Sequence, residues 1–165
     1  MESIGFKEWA LVCEALGDGR QTIILRKGGL AEGRDGFAFE HREFFLFPTF
    51  FHEQLERVRL PGASLPEPPP DEIEIRYFAR VKETRVIRDW AEVRALEPWH
   101  ILAESVVRER FEYDGEAGLH VAFVETFRLE PVWRFPNEAR YGGCRSWVEL
   151  PAPPGALQLH PAIPS

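Results

Sequence analysis

Sulfur is scarce in this chain: one methionine and two cysteines, Cys13 and Cys144, stand among 165 residues. Cysteines so far apart pair only if the fold brings them together, and no Cys/His spacing resembles a zinc module. Long apolar runs are missing as well. None approaches the roughly 18 residues a membrane helix needs, and the first residues show no basic-then-apolar leader pattern. A cytoplasmic protein with no membrane partner is the expectation. Excess positive charge is also lacking: the formal net charge is −7, which argues against indiscriminate wrapping of nucleic acid. The Gly-rich spacing and Lys-Ser/Thr ending of a phosphate-binding P-loop are absent, and no cofactor is implied.

What is plentiful is aromatic. Thirteen Phe and five Trp point to a stiff, well-filled core. The length suits one domain, expected over residues 1–150, with a proline-rich surface loop at 60–70 and an extended, poorly ordered tail at 151–165. Charge is unevenly spread. Basic residues gather between Gly19 and Arg42 and between Phe127 and Trp147, while acids concentrate from Glu53 to Glu74.

The organising stretch is Phe6–Gly29. Phe6, Trp9, Ala10, Cys13 and Leu16 fall at helical spacing and predict an amphipathic helix that exits at Gly17. Gln21–Lys27 then reads as a strand. Glu43–Phe47 is almost wholly apolar, as in a strand buried on both sides. Thr49 is placed to cap a short helix reaching about Arg59, and the prolines of Leu60–Pro70 exclude helix and inner strand.

From Ile73 the alternation predicts a half-buried strand, with Phe78 on its outer, charged face, running through Val86 and Ile87. Asp89 caps a helix carrying Trp90, Val93 and Leu96, and His100–Phe111 reads as a second amphipathic helix. Leu119–Leu129 is the longest strand signal. Helix and strand do not alternate in βαβ units, so the predicted class is α+β: a curled mixed β-sheet or small β-barrel flanked by short helices.

Three groups of residues carry chemistry. Arg26-Lys27-Gly28-Gly29 reads either as a backbone and guanidinium approach to phosphate or as a charged strand end before a tight turn. His41, Glu43 and His52, with Glu53, invite a metal-assisted hydrolase reading, although no pair sits at a strong ligand spacing; solvated histidines are the plainer account. Tyr141, Arg145, Ser146 and Trp147 flank a Gly142-Gly143 hinge, where an aromatic ring and a guanidinium serve a base and its phosphate. Packing alone explains most such rings.

The words WALVCEAL, QTIILRKGGL, FFLFPTFFH, GLHV and YGGCRSWVEL resemble the bacterial domain-of-unknown-function family DUF1802 over nearly the whole chain. That family has no established activity, and it occurs at times beside restriction-endonuclease domains, which implies a nucleic-acid connection. Separately, GRQTIILR (Gly19–Arg26) resembles the G-x-K-x-x-E-x-R motif of ASCH domains, which are PUA-like β-barrels whose motif charges face an RNA- or nucleotide-binding cleft. Gly19 and Arg26 match. Gln21 stands where lysine is usual and Ile24 where glutamate is usual, which tells against hydrolytic activity.

The expectation is therefore a PUA-like module for RNA, DNA or a nucleotide, with a modified base as one form of ligand. Arg26, Lys27, Gly28, Gly29 and His41 would line one side of its site, and Tyr141, Arg145, Ser146 and Trp147 the other. A metal-assisted nuclease using His41, Glu43 and His52, and a protein-interaction module, are the alternatives.

Overall fold

The computed structural model describes residues 1–27, 39–113 and 115–162. Two long strands frame it. Clean alternation makes β4 (Glu72–Ile87) and β5 (Leu119–Pro136), which pair antiparallel from Glu72↔Pro136 to Ile87↔Leu119. Register shifts at Ile75/Tyr77 and Val81/Glu83 interrupt the ladder, as bulges do where a sheet must bend.

On one side β5 pairs with β2 (Ile23–Arg26); on the other, β4 pairs with β3 (Glu43–Thr49). Beyond β3 come β1 (Ile4–Trp9), parallel to it, and β6 (Trp147–Glu149), antiparallel to β1. The mixed seven-stranded sheet runs β2-β5-β4-β3-β1-β6, with β7 (Gln158–Pro161) added along β5. Among the described residues the path does not close, so this α+β fold is a curled open sheet. Among the described residues three short α-helices flank it: α1 (Ala10–Asp18), α2 (Trp90–Arg94) and α3 (Glu104–Glu112). Asp89 caps α2 by accepting from the Ala91 N–H, as its position in the sequence predicts.

Both sheet faces are covered. One cluster joins Phe6, Leu16, Ile23, Phe44 and Leu46; the other joins Phe45, Phe78, Trp133, Phe135 and Tyr141. Alternate residues of β3 therefore serve opposite cores, and Phe44–Phe47 are all buried. Phe78, expected on a charged outer face, is 1% exposed. The reason is the C-terminal third. β5 runs on through Pro131 to Pro136, and the segment expected to trail as a tail returns as β7, whose Leu159 packs on the second core with Leu157. Pro161 is tolerated there because β7 lies at the edge of the sheet.

Four local expectations are corrected. Phe6–Trp9 belongs to strand β1, not to a helix, because it is held between β3 and β6. The helix ends at Gly19, which takes φ +86°, while Gly17 lies inside α1. Gly17 is there for contact: a Cβ on it would fall 2.2 Å from the Tyr77 ring. His52–Glu56 forms a 3₁₀ turn capped from Phe51 rather than a helix from Thr49. His100 precedes α3 and is buried, not on a helical surface.

Candidate functional site

Alternation along β1 sends Phe6 and Glu8 to the same side, and both are buried, at 0% and 2% exposure. A carboxylate held that far from water needs partners. Glu8 Oε1 accepts from the Trp9 N–H at 2.9 Å, and Oε2 lies 3.9 Å from Arg26 Nη2 at the end of β2. The Arg26 guanidinium stacks 4.6 Å from the Phe6 ring centre and donates to the Lys7 carbonyl. Its Nε is buried without a hydrogen-bond partner among the described residues.

A second guanidinium arrives from α3. Arg110 donates to the Leu25 carbonyl at 2.8 Å and lies 5.0 Å over Trp9. Burial, and then the charge of Arg26, lower its pKa to about 10, with Glu8 acting in the opposite direction. Glu8 is thus paired with Arg26, while Arg110 stands close enough to feel both charges, beside Phe6 and Trp9. That leaves one positive charge in surroundings of low dielectric, where an anion is favoured.

Trp147 packs on the same Phe6 ring, with centroids 4.9 Å apart. It also meets Phe44 at 5.2 Å and His41 at 4.9 Å. His41 Nδ1 faces Glu2 Oε2 at 2.9 Å. Arg26, His41 and Trp147 are therefore brought together around Phe6, joining the first basic strand to the closing aromatic segment.

The other residues expected in the site lie elsewhere. Lys27 Nζ donates to the backbone carbonyls of Phe111, Glu116 and Gly118, tying the α3–β5 connection together. Tyr141 lies in the second core, against Phe47 and Phe135. Ser146 is buried and its carbonyl accepts from the Lys7 N–H at 2.8 Å. Arg145 is exposed and close enough to Lys7 to contribute, after burial, to lowering that ammonium's pKa. Gly28 and Gly29 lie outside the described residues.

His41, Glu43 and His52 do not converge. Glu43 pairs with Arg80 at 3.0 Å, His52 is exposed at the start of its 3₁₀ turn, and no three acidic, His or Cys side chains among the described residues are placed to hold a metal ion. The two positions that depart from the ASCH motif have structural uses. Gln21 bridges the Ile23 carbonyl and the Ile101 N–H at 2.9 and 3.1 Å, and Ile24 is fully buried.

Glu8 and Arg110 escaped the reading of the sequence. Their signals exist: Glu8 follows Ile4 and Phe6 at strand spacing, and Arg110 follows Val106 and Val107 on the buried stripe of α3.

A family model described as "Domain of unknown function (DUF1802)" matches residues 5–165. No curated protein matches the chain. Among solved structures, that of ASCH from Zymomonas mobilis is similar, with TM-score 0.53 at 12% identity, covering 90% of this chain and 87% of that one. A serine-to-alanine mutant of the same protein gives TM-score 0.52 at the same identity and coverage. At that identity the likeness is one of fold. No helix among the described residues is long and apolar enough to cross a membrane.

Proposed function

The chain belongs to the DUF1802 family, and on that premise, with a fold similar to an ASCH protein, we propose that it is a PUA-like binding module for RNA or a nucleotide. One observation carries the reading. Arg26, which matches the arginine of the ASCH motif, turns its guanidinium inward between Glu8 and Phe6, on the same aromatic ring that Trp147 packs against. Arg26 and Arg110, balanced by a single carboxylate, supply the attraction for a phosphate. Trp147, half-buried beside His41, supplies the aromatic surface for a base. Affinity arises from stacking and a few charge-assisted hydrogen bonds, in keeping with a net charge of −7. The finer form of the reading is a reader of a modified base, linked to restriction or defence.

Fluorescence anisotropy with labelled single-stranded RNA and DNA, with and without modified bases, tests it. Two or three phosphate contacts predict a slope of about −2 in log K against log salt. Arg26→Ala should weaken binding by about tenfold, the worth of a charge-assisted contact. The exposed Arg145→Ala variant, whose removal disturbs no packing, reports on the rim independently of folding. Equal binding by wild type and a folded Arg26→Ala protein would remove the proposed site.

A further inference from the structure

Away from the Arg26–Glu8–Trp147 group, the proline-rich segment arches over the sheet and encloses two adjoining clefts. The first, about 480 Å³, has Leu46, Pro48 and Tyr77 among its apolar lining and Glu14, Asp18 and Glu67 along its sides. The second, about 590 Å³, lies toward Ile73, Asp71 and Glu138. They share Pro48, Phe50, Pro69 and Glu74, so one groove passes from α1 along β4 to the end of β5.

Its chemistry is one-sided. The two linings together carry seven carboxylates against two cations, Lys7 and Arg76; Asp18 is paired with Arg20, Glu74 with Arg76 and Arg134, and Glu138 with Arg140, which leaves Glu14, Glu67, Asp71 and Glu72 without an ion pair among the described residues. Both cations are engaged: Lys7 donates to the Gly143 carbonyl at 3.0 Å, and Arg76 is paired with Glu74. The side chains of Glu14 and Glu67 make no hydrogen bond or ion pair among the described residues. The wall itself adds acceptors without donors, because Pro66, Pro68, Pro69 and Pro70 keep their carbonyls but have no N–H. A nucleic acid or an anionic lipid surface would meet repulsion here.

We infer that this groove docks an extended, basic peptide segment of a partner protein, with Arg or Lys side chains alternating with apolar ones. The apolar residues lie on the Pro48–Phe50–Tyr77 floor, as extended ligands do in grooves lined by aromatic rings. The cationic side chains reach Glu14 and Glu67, where opposed potentials give register and specificity. Two clefts in series suit a chain rather than a compact ligand, since either one alone already matches a small-molecule site of some 300–1,000 Å³.

The test is anisotropy of a labelled peptide of repeated Arg-Pro-Leu units on the full chain, with three comparisons at fixed salt: a Glu-Pro-Leu peptide, spermidine as competitor, and two double variants. Saturable micromolar binding of the basic peptide only, weakened at least about fivefold by Glu14→Gln with Glu67→Gln, supports the groove. The control, Glu83→Gln with Glu109→Gln, makes the same change in net charge at exposed positions outside it and should leave affinity unchanged. Equal weakening by both pairs would reduce the effect to bulk charge and overturn the proposal. So would equal binding of the acidic peptide, displacement by spermidine at peptide-like concentration, or no saturable binding by the wild type. Melting temperature of each variant confirms the comparison is among folded proteins, and the unpartnered state of Glu14 and Glu67 makes their loss structurally mild.

Discussion

Replacing Glu8 by glutamine is the sharpest perturbation of the buried charge group. The amide keeps the size of the side chain and an acceptor for the Trp9 N–H, so shape and the 2.9 Å hydrogen bond survive while the charge goes. At 3.9 Å from Arg26, the lost attraction is about 4 kcal/mol at an effective dielectric constant near 20. The Arg26 side chain is 20% exposed, so solvent screens part of this, while Arg110 adds a second, longer attraction. Removing one partner of a buried pair strands the other, and the net destabilisation expected is about 2–4 kcal/mol. For a domain of this size that lowers the melting temperature by about 5–15 °C. Urea titration followed by tryptophan fluorescence gives the free energy. Two stranded guanidiniums should also attract anions, so phosphate should restore the variant more than it stabilises the wild type. A loss below about 0.5 kcal/mol, the range of ordinary surface substitutions, together with an unchanged phosphate response, would refute the picture of one buried carboxylate offsetting two partly buried arginines.

Two further perturbations address residues outside that group. His100 is buried, its Nδ1 accepts from the Leu102 N–H, and burial, followed by the charges of Arg59 and Arg110, lowers its pKa to about 4 from the usual 6.5. The unfolded chain therefore holds a proton that the folded one excludes between those values, and stability is lost as pH drops from about 6.5 toward 4, by up to about 1.4 kcal/mol per unit. His100→Asn keeps an acceptor but cannot titrate, so its urea midpoint should vary less between pH 6.5 and 4.5; an unchanged slope would assign the acid sensitivity elsewhere. Lys27→Met removes the donor to three backbone carbonyls and should cost about 1–3 kcal/mol without changing oligonucleotide affinity. Selective loss of affinity in a protein of unchanged stability would return Lys27 to the ligand face.

How much of this was legible depended on whether a signal was local. The period-2 alternation of β4 and the Asp89 cap of α2 are written in neighbouring residues, and the structure forms both. β1 is different. Phe6, Trp9, Ala10 and Cys13 satisfy helical spacing, and only pairing with Gly5↔Phe45 and its neighbours, some forty residues away, makes Ile4–Trp9 a strand. That change of element is also what concealed the site. Along a helix, two residues are a rotation of about 200°, which places Glu8 opposite Phe6 and in water. Along a strand, two residues return to the same side, so Glu8 follows Phe6 inward and meets Arg26. Arg26 was visible because it ends a motif; its counter-charge was not, because its direction is set by a tertiary contact. The tail obeys the same logic: its prolines read as an extended, poorly ordered segment, yet β7 needs only the edge that β5 leaves open.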